Sequence, residues 1–442
     1  TPDGGTPDGG TPDGGTPDGG TPDELSAITW RVNETVGSVL HVSWQQPSAA
    51  TSWLEFQIEG EEWRQSPPRD REAGLQEELI LGVPYDTTIL FRVVAGEETS
   101  EDQAATTDPL PAGAPVPSLL LAEPSAWGEE DRWLLLGISK SNDGFESAGF
   151  FKYILDRQGR IVWAHETPDG LRTMYMQPSQ DGSELLWDQT TFWTTFDEGA
   201  ASVVYRWKID GTVLETIPTP GLHHTFRQMP DGTLAWGGFD GTDEVLRERA
   251  PDGSVRVVWN CSEYWAAMGS RMQCDGNAMT YNVDDDTWYY SSDNENTVVE
   301  IQRETGEVIR SFGQLAGSYA FSEGSGNFWK QHSPSRTPEG TLLISTHESQ
   351  SSREMRAREY EIDDATRTLR EVWSCGDGSG IEAPFMGEAH RLENGNTLLN
   401  YGGGGAIREV TRDCEVVWEL HWGDRNMISR SVFLADLYAF AP

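Results

Sequence analysis

The chain has 442 residues, with 32 basic and 72 acidic side chains and a net charge of −40. Such a surface repels nucleic acid and anionic lipid, and no apolar run approaches the ~18 residues of a membrane span. The length allows two or three domains, and only Lys140, Lys152, Lys208 and Lys330 are lysine.

Residues 1–23 read TPDGG four times and then TPD. Proline fixes the backbone, Asp-Gly invites a turn, and no other apolar side chain is present to bury. The bland reading is a flexible surface stalk. The sharper one is an extended segment held against a second copy of the chain, giving self-association and filaments. Calcium on Asp3, Asp8, Asp13 and Asp18, or glycans on the threonines, are further alternatives.

Residues 24–110 change character. In "GSVLHVSWQQP" Leu40, Val42 and Trp44 alternate with Val39, His41 and Ser43, and "LILGVPYDTTILFRVVAGEE" is a turn followed by an alternating strand. Short strands without helical period predict a β-sandwich. With Trp44 ending an early strand and Arg92, Val93, Val94 and Ala95 late in the segment, it resembles a fibronectin type III domain, with Ile89 where tyrosine is usual. Such modules space or bind. A proline-rich linker occupies 111–117.

From 118 to 442 the chain repeats a polar turn followed by a strand ending in tryptophan: "DRQGRIVW", "PDGSVRVVW", "DATRTLREVW" and "RDCEVVW". Each is preceded by a second turn and strand, such as "QDGSELLW", "PDGTLAW", "PEGTLLI" and "NGNTLLN". Pairing them gives units near 119–165, 173–219, 223–265, 277–313, 332–375 and 388–420. Six all-β units without helices predict a six-bladed β-propeller of four-stranded blades. "SVFLADLYAF" is expected to close the first blade, with help from the segment before the repeats.

The first strand of each blade lines a propeller's channel. Counting eight residues back from each turn glycine, or from Asp286 in its place, gives Met174, His224, Ala278, His332 and Gly387. His224 and His332 are therefore expected to face one channel. The segments "HHTFRQMPDGTLAW", "NAMTYNVDDDTWYYSSDNENTVVEIQRETGEVI", "KQHSPSRTPEGTLLIS", "REYEID" and "HRLENGNTLLNYGGGGAIREV" resemble the arylsulfate sulfotransferase family, PAPS-independent enzymes with a β-sandwich before a six-bladed propeller. The resemblance implies that His332 attacks the sulfuryl group of an aryl sulfate and passes it to a phenol. His223 or His224 is the implied supporting histidine.

Two positions depart from the family pattern. Asp275 stands where a histidine is expected and Asp293 where an arginine binds the sulfuryl oxygens. A charge about 5 Å from a sulfuryl anion is worth roughly 3 kcal/mol at an effective dielectric of about 20, so arginine to aspartate is a swing of about 6 kcal/mol. That is about four powers of ten in rate. Arg336, Arg353 and Lys330 are candidate replacement cations.

Three functions follow. The first is a secreted or cell-surface propeller with a substituted site, acting as a structural or binding module. The second is an active aryl sulfotransferase. The third is a channel metal site built from His224, His332, Asp275 and Asp293, a mixed set suited to zinc, manganese or iron. No cofactor is required by the first two, and calcium or another divalent metal is the alternative. Partners under these readings are a second copy or a small aromatic or sulfated ligand. His347, His390 and His421 read as ordinary strand or loop histidines, "YGGGG" as a wide turn and "NVDDD" as an acidic blade turn. The four cysteines predict two disulfides, pairing undetermined, in a periplasmic or extracellular protein. The absent initiator methionine suggests a processed chain, with a lipid anchor upstream as one option.

Overall fold

The computed structural model describes residues 24–140, 149–168, 171–190, 201–241, 243–269, 274–423 and 426–442, the side chain of His224 excepted. The TPDGG segment lies outside them. The described residues form two compact units, one of 24–31 with His41–Glu78 and Ile89–Ala105, the other of Val32–Leu40 with Leu79–Thr88 and those described from Thr106 to Pro442.

The described part of the first unit is built on two antiparallel sheets. One runs in the order Ser26–Val32, Leu40–Gln46, Gly74–Ile80. The other runs Arg64–Gln65, Ala50–Ile58, Thr88–Ala95, Glu98–Thr99, with Arg69–Arg71 and Gln103–Thr106 on its margins. Alternation decides which face is buried: Leu40, Val42 and Trp44 are fully enclosed, as are Leu54, Phe91 and Val93, while His41 and Ser43 are only half-buried.

The second unit is a β-propeller of six sheets. From the outside inward, blade one is Ile161–Glu166, Phe150–Asp156, Trp133–Ser139 and Ile428–Leu434. Blades two to six start from innermost strands Met176–Pro178, Leu222–Gln228, Gly276–Asn282, His332–Arg336 and Glu388–Arg391. Middle strands sit between neighbouring blades and so lose the two-residue alternation. Phe150–Asp156 and Thr287–Ser292 are buried at every position. In each of the six blades the pairing between the third and fourth strands from the axis carries a register shift, at Ile154/Leu155, Arg206/Trp207, Leu246/Arg247, Glu300/Ile301, Glu359/Tyr360 and Glu409/Val410. A bulge adds local twist, and it recurs at the same place in every blade.

Three expectations need correction. Blades five and six have five strands rather than four, because Ala320–Phe321 and Ser118–Ala122 add an outer edge. Ser118–Ala122 thereby belongs to blade six, not to blade one, so the ring closes twice: Ile428–Leu434 becomes the innermost strand of blade one, and Ser118–Ala122 covers the outside of blade six. A helix interrupts the all-β pattern at Cys261–Ala267, capped by the Asn260 side chain accepting from the Glu263 amide.

Buried carboxylates on third strands hold neighbouring blades together. Glu248 in blade three accepts Arg303 from blade four at 2.7 Å. Glu359 in blade five takes Arg391 and Arg412 from blade six at 2.5 and 2.9 Å. Glu409 in blade six binds Arg157 of blade one at 2.5 Å, where the ring closes. The Cys261–Cys274 and Cys375–Cys414 disulfides tie the helix to its following loop and blade five to blade six. No helix among the described residues is long and apolar enough to cross a membrane.

Candidate functional site

His332 opens the innermost strand of blade five. Gln331, fully buried, locks that strand start onto blade four, its amide donating to Ser291 Oγ at 3.0 Å, Ser292 O at 2.9 Å and Thr297 O at 3.3 Å. Lys330 and Ser333, flanking the Gln331–His332 pair, take left-handed backbone at φ 49° and 47°. For residues with a Cβ this conformation is costly, and it persists where surrounding structure over-determines it. The same stretch carries a register break between His332 and Ser335, as do the innermost strands of blades three and four. Bulges of this kind re-aim side chains.

The ring of His332 is sunk deep in the protein but keeps part of its surface accessible. Burial pushes its pKa down to about 4, against smaller opposing effects of the Lys330 carbonyl and Asp293. The imidazole is therefore neutral at pH 7. Its Nδ1 lies 3.0 Å from the Lys330 carbonyl oxygen. A carbonyl only accepts, so Nδ1 carries the proton and Nε2 keeps its lone pair. Such a ring is equipped as a nucleophile or ligand.

The surroundings are less suited to an anionic substrate. Asp293 follows the strand Thr287–Ser292 of blade four, and its carboxylate is held by Lys330 Nζ and by Asn277 Nδ2 at 3.2 Å. Asp275 precedes the strand Gly276–Asn282 and accepts the Asp293 amide at 2.9 Å through its backbone carbonyl. Burial, then the charge of Asp293, pushes the Asp275 carboxyl up, with Lys330 opposing. His347 Nε2 donates to the Ala383 carbonyl at 2.7 Å, and burial lowers the pKa of its ring.

The remaining expected residues separate. His223 is buried and stacked on Phe239 at 4.2 Å, and burial depresses its pKa to about 3, which makes it a packed neutral ring. His224 lies in the innermost strand of blade three, as the register count requires, but its side chain is outside the described residues. Arg336 is drawn away to Asp285 at 3.1 Å. Arg353 is exposed on the strand Ser352–Asp363 and acts on His347 electrostatically. Of the three candidate cations, Lys330 alone reaches Asp293. Among the described residues no group of three or more His, Cys, Asp or Glu side chains is arranged to hold a metal ion.

Residues 276–430 match the arylsulfotransferase (ASST) family model. That span holds blades four and five, blade six without its outer strand Ser118–Ala122, and the start of the closing strand, so it includes Asp293, Lys330 and His332 but neither His223 nor His224, and it begins one residue after Asp275. No curated protein matches the chain. Among solved structures, a Bacteroides caccae protein of unknown function is 18% identical over 69% of this chain and 100% of its own, with a TM-score of 0.47. A putative 6-phosphogluconolactonase from Bacteroides uniformis is 13% identical over 87% and 100%, TM-score 0.43. Virginiamycin B lyase from Staphylococcus aureus is 11% identical over 73% and 97%, TM-score 0.40.

Two contributors escaped the sequence reading. Glu388, fully buried in blade six, acts on His332 electrostatically and lies 3.5 Å from Ser333 Oγ. It stands one residue after the Gly387 position of the register count, and that adjacency was the available signal. Lys330 was named only as a spare cation; from a left-handed backbone position it pairs with Asp293 of blade four.

Proposed function

We propose that this protein is an arylsulfotransferase-like propeller that uses its channel to bind rather than to transfer sulfuryl groups. The observation that carries the reading is the Asp293–Lys330 pair beside His332. In the family that the chain resembles, an arginine occupies the place of Asp293. Pairing with Lys330 cancels most of the carboxylate's charge, so the handicap shrinks from about 6 kcal/mol toward the roughly 3 kcal/mol of the missing cation. That still leaves about two powers of ten in rate.

Absorbance at 400 nm during incubation with 4-nitrophenyl sulfate and phenol tests this. The unmodified chain is expected to release little 4-nitrophenolate. Asp293→Asn frees Lys330 and should raise release by up to about a hundredfold. Robust turnover by the unmodified chain, lost in His332→Ala, would refute the binding reading. It would establish instead an active sulfotransferase, the second reading, which the neutral His332 with Nε2 unblocked favours.

The strand orders of the first unit, first–second–sixth in one sheet and fourth–third–seventh–eighth in the other, support a fibronectin type III-like module before the propeller. Two disulfides fit an oxidising, extracytoplasmic setting. Self-association through the TPDGG repeats completes the proposal. Deletion of residues 1–23 followed by sizing tests it, and unchanged assembly would remove that part.

A further inference from the structure

Trp63 lies in the connection between the strands Ala50–Ile58 and Arg64–Gln65 of the first unit, and it is 37% exposed. A single exposed tryptophan is ordinary. This one is held in place, because the Arg92 guanidinium carbon stands 4.4 Å from its ring centroid. Arg92 is fixed in turn: its Nε and Nη2 both reach Glu55 Oε2, at 2.7 and 2.6 Å, and its Nη1 lies 3.9 Å from Asp102 Oδ1. The other oxygen of Glu55, Oε1, accepts the Trp53 indole N–H at 3.3 Å.

Strand alternation puts these groups on one face. Leu54 and Phe56 are buried with Phe91 and Val93, so Trp53, Glu55 and Gln57 face outward on one strand, and Leu90 and Arg92 on its neighbour. The register sets Glu55 opposite Arg92 and Gln57 opposite Leu90. Residues two apart on a strand are about 7 Å apart, so the row from Gln57 to Trp53 runs about 14 Å, the length of a short oligosaccharide.

Charge decides what kind of ligand this surface takes. Arg92, the cation of the patch, is already neutralised by Glu55 with Asp102 beyond it, so it offers little to an anion. The net charge of −40 on the chain repels a polyanion further. A neutral ligand meets neither obstacle. What the patch presents to it is an aromatic face beside a paired carboxylate and guanidinium. The Gln57 amide joins them: its Nε2 donates to the Glu61 carbonyl at 2.6 Å, which leaves its Oε1 to accept. An indole face packs against the C–H side of a sugar ring, while carboxylate and amide oxygens accept from hydroxyls and guanidinium N–H groups donate to them. Because Arg92 holds the ring beforehand, little side-chain freedom is lost on binding.

We propose that this outward face binds a neutral oligosaccharide, with one pyranose ring stacked on Trp63 and its hydroxyls hydrogen-bonded by Glu55, Arg92 and Gln57. The site residues all lie in the first unit, and the site does not depend on the reading given to His332.

Isothermal titration of the full chain tests it, with cellohexaose, maltohexaose and chitohexaose as neutral probes and polygalacturonate as a polyanionic counterpart. Saturable binding of at least one neutral probe is expected, and the tightest identifies the linkage and sugar preferred. Polygalacturonate should bind about tenfold more weakly or worse. Trp63→Ala should weaken binding about tenfold or more by removing the stacked ring, and Arg92→Gln several fold. Trp30→Ala, which alters a tryptophan 39% exposed on the other sheet, leaves binding unchanged. Thermal unfolding confirms that each variant is folded; should Trp63→Ala fail that check, Trp63→Leu serves, with a loss of several fold. Absence of saturable binding by all three neutral probes overturns the proposal. So does polygalacturonate binding as tightly as they do, or binding that is indifferent to the Trp63 and Arg92 substitutions in folded protein or equally weakened by Trp30→Ala.

Discussion

Glu409→Gln should loosen the ring at its seam. Glu409 is completely buried in blade six, and its Oε2 holds Arg157 Nη2 of blade one at 2.5 Å, while Oε1 accepts Asn396 Nδ2 at 2.6 Å. Arg157 is enclosed by Trp127, Trp418 and Phe433, whose rings lie 4.2, 4.4 and 4.6 Å from its guanidinium carbon. Those faces attract a cation but cannot replace an ion-pair partner, and Nε and Nη1 have no hydrogen-bond partner among the described residues. Glutamine preserves volume and leaves no cavity, so the change removes charge alone. Breaking one side of a buried pair costs about 3–5 kcal/mol, because the remaining charge stays desolvated. A cooperative unit of roughly 300 residues unfolds with about 0.6 kcal/mol/K, so the midpoint should fall by about 5–8 °C. Scanning calorimetry at pH 7 reads this directly. A double-mutant cycle with Arg157→Met should show at least about 1 kcal/mol of coupling. A fall of less than about 1 °C, or additive effects, would refute the idea that this pair secures closure.

Other expectations concern the same architecture. Truncation after Asn426 removes the innermost strand of blade one and should abolish cooperative unfolding; a truncated chain with an unchanged melting profile contradicts the closure assigned to Ile428–Leu434. Cys375→Ala with Cys414→Ala opens a loop of 39 residues and should cost about 4 kcal/mol in urea unfolding, against no change if the bond is absent in solution. Gly306→Ala should cost about 2 kcal/mol or more, since its φ is 72° and an added Cβ would lie 2.0 Å from the Val258 carbonyl oxygen. Stability equal to the parent would show that this turn relaxes freely.

Much of the fold is legible in the chain because it repeats. Turn glycines such as Gly232, Gly340 and Gly395 recur with an apolar strand behind each, and a local pattern present several times reports the unit and its register even where any single copy is ambiguous. That register placed His224 and His332 on innermost strands, while Asp275 and Asp293 stood out only against the pattern of the family the chain resembles.

What the sequence could not yield were the pairings between distant segments. Ser118–Ala122 looks like the start of the first repeat, yet it hydrogen-bonds to Val416–His421, because the ring brings the last blade back beside the first. The cysteine pairing, the Arg157–Glu409 clasp and the grip of Lys330 on Asp293 have the same origin. Repetition fixes each blade locally through hydrogen-bond register and burial. Which charges meet is decided only when blades close around the axis, since it depends on distances of a few ångströms between side chains far apart along the chain.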